Sequence, residues 1–182
     1  MITAYEITLA QAADAREIAE LSRDAIERGL SWRWTERRVL RASRDEATNV
    51  VVARRDGVLL GFAIMQYGDD EAHISLLAVR SSQHRSGLGS ALLAWLEATA
   101  GVAGIGAIRL ETRAGNAAAK AFYRRHGFTE CGSSPGYYED VEDAVRMVKR
   151  LGPAPRAPSR RTRTPRRAGS ACRPGPAPSV PA

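Results

Sequence analysis

Cysteine is scarce in this chain of 182 residues, and long apolar runs are absent. Its two cysteines, Cys131 and Cys172, stand far apart with neither CxxC nor metal-ligand spacing, which argues against a disulfide framework and a metal site. Read as isolated thiols, they fit a reduced, cytoplasmic protein. The longest uncharged apolar run, Ala98 to Ile108, is too short and glycine-rich to span a bilayer, and Met1 to Glu20 lacks an apolar segment of signal-peptide length. No membrane association is expected. Acidic residues and lysine are missing from residues 152–182, which hold seven arginines and eight of the nine prolines. The net charge of +7 therefore lies entirely in that tail, and the first 151 residues balance 20 basic against 20 acidic. The expected organisation is one domain over 1–151 and a disordered Pro/Arg-rich basic tail over 152–182. The tail is either an RNA- or ribosome-contacting arm or a solvated extension.

The periodicities alternate along the body. Tyr5 to Thr8 reads as a strand. The run to about Arg28 places Ala15, Ile18, Leu21 and Ala25 on one helical face, with Gly29 as a stop. Trp32 and Trp34 follow in a basic loop or short helix continuing through Val39 and Leu40, where they either anchor the core or line a substrate mouth. Asn49 to Arg54 and Val58 to Tyr67 are apolar runs joined at Asp56-Gly57, a hairpin signal. A further strand runs from Ala72 to Val79, a helix follows from Leu88, and Ala107 to Arg113 is again a strand. Asn116 caps a helix to about Arg125 that Gly127 ends. Phe128 to Cys131 and Ala144 to Lys149 close the series as strands, with Gly132 to Gly136 and Tyr137-Tyr138 between them. The order β-α-α-β-β-β-α-β-α-β-β predicts an α/β fold, a mixed sheet of six or seven strands with helices on both faces.

Two stretches carry the chemistry. From Ala72 to Leu93 an apolar strand leads through a polar turn and the glycines Gly87 and Gly89 into a helix whose buried stripe is Leu88, Ala91, Leu92, Trp95, Leu96 and Thr99. The turn presents backbone N–H groups from Arg85 to Gly89 at a helix N-terminus, where an anion can approach the glycines closely. Neither a Walker motif nor a dinucleotide fingerprint is completed, so this is a phosphate cradle of another class or simply a tight turn. In the second stretch, Asn116 and Tyr123 lie about two helical turns apart on one face, with alanines between them.

His84-Arg85-Ser86-Gly87-Leu88-Gly89, preceded by a strand ending in Ala78-Val79, resembles the coenzyme A pyrophosphate-binding motif of the GNAT superfamily of N-acetyltransferases. Its first position holds His where that motif has Gln or Arg, with Gln83 and Arg85 alongside. Asn116, Ala119, Tyr123, Gly127 and Phe128 match the second GNAT motif, in the expected order. The string from Leu110 to Ala119, with Tyr137-Tyr138 and Asp140 after it, is similar to the ribosomal-protein alanine N-acetyltransferases within the superfamily. Thr112 stands where those enzymes commonly have valine.

The resemblance implies acetyl-CoA as co-substrate, no metal, and a mostly antiparallel GNAT-like sheet. It implies that His84, Arg85, Ser86, Gly87, Leu88, Gly89 and Ser90 hold the diphosphate. The backbone of Leu77, Ala78 and Val79 would pair with the pantetheine arm, and Asn116, Ala119 and Tyr123 would border the cofactor. Glu111 is implied as general base and Tyr123 as general acid. By residue type, the alternative for Glu111 is an ion pair with Arg109 or Arg113, with which it shares a strand face. His73 is the rival base or an ordinary polar strand residue. Tyr137, Tyr138 and Trp34 are candidates for the acceptor groove. At pH 7 roughly one α-amino group in eight is neutral, against about one lysine in a few thousand, so a carboxylate base suits an α-amine. The expected acceptor is a protein N-terminus; the alternatives are a small amine such as a polyamine or an aminoglycoside, or a non-catalytic acyl-CoA-binding module.

Overall fold

In the computed structural model, residues 5–152 are described. Seven strands form one sheet in the order β1-β2-β3-β4-β5-β7-β6. They are β1 (Glu6–Leu9), β2 (Thr48–Arg55), β3 (Val58–Tyr67), β4 (Glu71–Val79), β5 (Ala107–Arg113), β6 (Thr129–Tyr138) and β7 (Glu142–Arg150). Every neighbouring pair is antiparallel except β4–β5. A parallel pair requires a crossover, and α3 (Leu88–Val102) supplies it. The helices divide between the faces. On one face α1 (Ala15–Ala25) and α2 (Glu36–Arg44) bury Ile18, Leu21 and Val39 against Val50, Val52, Phe62 and Ile64. On the other, α3 and α4 (Ala117–Arg125) pack Leu88, Leu92, Leu96 and Tyr123 against Val51, Met65, Ile108 and Leu110.

The middle of the sheet is irregular. Ile64 pairs with Leu76 and Met65 with Ile74, so Ser75 is an extra residue in β4. The bulge changes the face to which alternate residues point: Ala72 and Ile74 belong to the α3-side core, whereas Leu76 and Ala78 belong to the α1-side core. Pairing of β4 with β5 covers only Glu71 to Ile74 against Ala107 to Leu110. Beyond that point the two strands part, and a cleft opens between them.

Local signals form as the sequence predicts. Asp56 and Gly57 both take positive φ, 51° and 77°, in the β2–β3 turn. The Asn116 side chain accepts a hydrogen bond from the Ala119 N–H at 2.9 Å. Other boundaries differ. Helix α1 stops at Ala25 rather than near Arg28, and Ala25 is exposed. Strand β6 extends through Gly132 and Pro135 to Tyr138, with register shifts at Glu130/Gly132 and Ser134/Tyr138, where a connection is expected. Its edge position tolerates both the proline and the irregularities. Cys131 is disulfide-bonded, so it is not the isolated thiol expected. Among the described residues no helix is long and apolar enough to cross a membrane. The basic segment 153–182 lies outside the described residues.

Gly61 of β3 sits where the sheet is tightest: an added Cβ would lie 2.8 Å from the Ala78 carbonyl oxygen and 2.9 Å from Val79 Cγ1. Gly61→Ala is therefore expected to destabilise the fold by about 1–3 kcal/mol in denaturant unfolding. Gly101→Ala, facing open space in α3, should leave the midpoint unchanged or raise it.

Candidate active site

The turn before α3 is shaped by two left-handed residues, Arg85 (φ 61°) and Gly87 (φ 88°), the latter at the helix N-cap. Ser86 is engaged locally, its Oγ donating to the Gln83 carbonyl at 2.7 Å and accepting from the Leu88 N–H at 3.4 Å. The N–H groups of Arg85, Gly87, Gly89 and Ser90 have no partner among the described residues. These four free amides stand at the start of a 15-residue helix, an arrangement able to receive an anion. Behind it, Gly89 faces Phe122 of α4, and the Ser90 hydroxyl lies 2.9 Å from His126 Nε2. His84, Arg85 and Gly87 are exposed, while Leu88 is fully buried and serves the core as a side chain.

From this turn a cleft of about 1480 Å³ runs between β4 and β5 to the far side of the sheet. Leu77, Ala78 and Val79 form one wall; they pair with Ala63, Phe62 and Gly61 on the β3 side, and their opposite edge has lost β5. Every second backbone group there is directed into the gap. Asn116, Ala119 and Tyr123 of α4 line the opposite wall. Tyr123 is 8% exposed, in edge contact with Phe122 and Phe128. Its hydroxyl makes no hydrogen bond to a described residue, and burial raises its pKa. The phenol is thus held in place by its ring and retains its proton.

Glu111 and His73 meet on the α1-side face of the sheet. His73 Nε2 lies 2.5 Å from Glu111 Oε2, and the side chains are 18% and 7% exposed. The two rival bases therefore form one hydrogen-bonded pair. Of the arginines considered as partners of Glu111, Arg109 feels its charge, though Glu71 acts on it more strongly. Arg109 binds Glu71 through Nε (2.5 Å) and Nη2 (2.6 Å), and Arg113 is drawn to Glu142 at 3.3 Å. His73 Nδ1 is buried without a partner. A buried N–H left unpaired costs more than an unpaired lone pair, so we assign the His73 proton to Nε2, donating to Glu111.

The acceptor end is closed by the segment between α1 and α2 and by the β6–β7 turn. Trp34 lines the cleft, as do Tyr137 and Tyr138, whose rings meet edge to face at 5.1 Å. Both tyrosines belong to β6 rather than to a turn. Burial, followed by the charge and hydrogen bond of Glu111, pushes Tyr137 up to about 12. Sequence reasoning missed the residues that set this end. The buried Glu27 carboxylate accepts from the N–H groups of Arg33 (2.7 Å) and Trp34 (3.1 Å) and from the Ser22 hydroxyl (3.2 Å). Glu139 accepts from the Ser31 N–H at 3.1 Å and pairs with Arg33 at 3.3 Å. Arg113 Nη2 donates to the carbonyls of Ile26 (2.8 Å) and Arg28 (3.0 Å). Glu139, and Asp140 beside it, take positive φ in the β6–β7 turn, a conformation that neither residue type announces.

Four free backbone amides, a split parallel pair and the hydrogen-bonded Glu111–His73 pair thus share one cleft. Residues 12–128 match the acetyltransferase (GNAT) family. The chain belongs to that family. An uncharacterised N-acetyltransferase of Methanocaldococcus jannaschii is 38% identical over 100 residues, covering 54% of this chain and 64% of that protein. The [ribosomal protein bS18]-alanine N-acetyltransferase of Escherichia coli is 39% identical over 97 residues, 52% of this chain and 66% of that protein. The chain spans just under two thirds of the length of these two relatives. Among solved structures, Ard1 from Thermoplasma volcanium superposes with a TM-score of 0.73 at 27% identity, over 81% of this chain and 98% of that one. The mostly antiparallel α/β sheet of this chain is the fold of the GNAT family, which uses acetyl-CoA. Among the described residues no group of three or more His, Cys, Asp or Glu is placed to hold a metal.

The cleft of this GNAT-family protein holds one buried phenol, Tyr123, and two half-buried ones, Tyr137 and Tyr138, each with a raised pKa. A pKa raised in the folded state means that the unfolded chain loses the proton first as pH rises. Stability is therefore expected to hold up to about pH 10 and to fall through pH 12, by roughly 1.4 kcal/mol per pH unit for each phenol. Circular dichroism should report unfolding together with a cooperative rise in phenolate absorbance.

Proposed function

We propose that the protein transfers the acetyl group of acetyl-CoA to a protein N-terminal α-amine, with Glu111 as general base and Tyr123 as acid. The observation that carries this reading is the continuity of one cleft from the free amides of Arg85, Gly87, Gly89 and Ser90 to the Glu111–His73 pair and the Tyr123 hydroxyl. The four amides fit a diphosphate, and the unpaired edge of Leu77 to Val79 fits an amide-bearing arm laid along it as a further strand. Acetyl-CoA supplies an activated thioester carbonyl. An N–H from that edge polarises the carbonyl oxygen.

The acceptor amine attacks only when neutral, and Glu111 takes up the proton it sheds, directly or through water. In this scheme His73 is a positioning residue whose Nε2–H fixes Oε2 of the Glu111 carboxylate. Tyr123, which lines the same cleft, would donate its proton to the thioester sulfur as the carbon–sulfur bond breaks. Relatives named for the alanine terminus of bS18 support an N-terminal acceptor, as does the base, since a carboxylate is better matched to an α-amine than to a lysine.

Steady-state kinetics with acetyl-CoA and a panel of N-terminal peptides tests the roles. Glu111→Gln is expected to lower kcat by about 10²–10³-fold with little change in the KM for acetyl-CoA. Tyr123→Phe should act on kcat in the same sense, and a null effect of both would remove them from these roles. Gly87→Ala, at φ 88°, should instead weaken acetyl-CoA binding by about tenfold in calorimetric titration, because the strained turn no longer aims its amides.

A further inference from the structure

Four carboxylates and four arginines meet at the acceptor end, and they are not matched one to one. Every carboxylate bordering it is already engaged: Glu27 with Ser22 and the Arg33 and Trp34 amides, Glu139 with Ser31 and Arg33, Glu142 with Arg113, and Glu111 with His73. These contacts also occupy the guanidinium groups of Arg33 and Arg113. Arg28 and Arg38 line the same cleft, and neither has a carboxylate partner in hydrogen-bond range among the described residues.

Arg38 is the more telling of the two. It is half-buried, and its guanidinium lies over the Trp34 ring at 4.3 Å from the centroid. Desolvation lowers its pKa; the charge of Glu27 acts against this, and Arg33 and Arg41 add smaller repulsions. Stacking on indole satisfies one face of the guanidinium and leaves its in-plane N–H donors, the edge that matches a carboxylate, for another group. The rest of α2 strengthens the field: the helix carries four arginines against one glutamate. A half-desolvated cation held rigidly at the mouth of a cleft, with its donor edge unspent, has the makings of an anion receptor.

We propose that Arg38, stacked on Trp34, receives a carboxylate of the acceptor, so that the enzyme selects N-terminal peptides with Asp or Glu close behind the reactive α-amine. This rests on the acetyl-transfer reading of the cleft and names its acceptor class. The same cations repel polyamines and aminoglycosides. They also disfavour the ammonium form of the acceptor, raising the neutral fraction that Glu111 must work on. A short peptide or amino acid could offer its own C-terminal carboxylate instead, which the experiment separates.

The test compares kcat/KM for C-terminally amidated peptides that differ only in having Asp, Ser or Lys at the second and third positions, beside a Ser peptide with a free C-terminus. The wild type is expected to favour the Asp peptide over the Ser peptide by about tenfold, with the Lys peptide slowest and the preference shrinking as salt is added. The difference should lie mainly in KM. In Arg38→Gln the Asp/Ser ratio should fall close to one, whereas Arg38→Lys should retain part of it. Each ratio is read within one preparation, so a loss of folded enzyme cancels, and the wild-type salt series stands even if a variant fails to fold. A flat or Lys-favouring wild-type profile, or an Asp preference that survives Arg38→Gln, overturns the proposal. A preference confined to the free C-terminus overturns the acidic N-terminal class. Absence of acetylation from every peptide would instead sink the acetyl-transfer reading itself.

Discussion

The parallel contact between β4 and β5 is limited to four residues of β4, and the site is organised around the interruption. A strand edge inside a sheet is an unstable place to leave backbone donors and acceptors, because an unpaired buried peptide group costs about as much as a lost hydrogen bond. Here the edge lines an open cleft instead of closing on itself. The Ser75 bulge makes this possible. By changing the face to which Leu76 and Ala78 point, it lets β4 leave β5 while still filling the α1-side core. Since α3 begins at the far end of β4, the same strand delivers both the unpaired edge and the amides of the following turn.

Charge in this molecule is arranged rather than abundant. The first 151 residues are electrically balanced, yet the balance is not local. Carboxylates at the acceptor end hold chain segments together across long sequence distances. Glu139 reaches back 108 residues to Ser31, and Arg113 reaches 87 residues to the carbonyl that ends α1. The groove bordered by Trp34, Tyr137 and Tyr138 is thereby fixed by its own polar groups, not by core packing beneath it. Exposed ion pairs such as Arg16–Glu20 contribute little to stability; those that bridge backbone N–H groups and carbonyls define geometry.

What could be read from the sequence were the features whose cause is local. Asp56-Gly57, the Asn116 cap, the Leu88 to Leu96 stripe and the Gly87 turn each follow from residues within one or two turns of chain, and the element order follows from them. The turn of free amides before α3 was legible for that reason. The acceptor end was not, because its contacts are set by pairing between distant strands. Nothing near His73 indicates that parallel pairing will put it against Glu111, 38 residues on. Gly132 and Pro135 read locally as a loop, yet β7 pairs with the segment and carries it on as an edge strand. Glu27 reads as one more charge on a helix, and only the turn that follows shows it to be buried under two backbone amides.

The state of Tyr123 bears on how the proposed transfer ends. An ordinary phenol, near 10, already sits above an ordinary thiol, near 8.5, so handing its proton completely to a thiolate is uphill by about 2 kcal/mol. Burial raises Tyr123 further and makes a lasting phenolate unfavourable. The hydroxyl is therefore better suited to hold a hydrogen bond to the sulfur as charge builds up on it than to remain deprotonated afterwards. Any proton it does give must be returned at once, and the open cleft beside it is the route by which water can do so. The same burial that makes Tyr123 a weak acid also keeps its ring fixed between Phe122 and Phe128, so the donor is aimed before the substrate arrives. In such a site, preorganisation of the hydroxyl contributes more to the barrier than its acidity does.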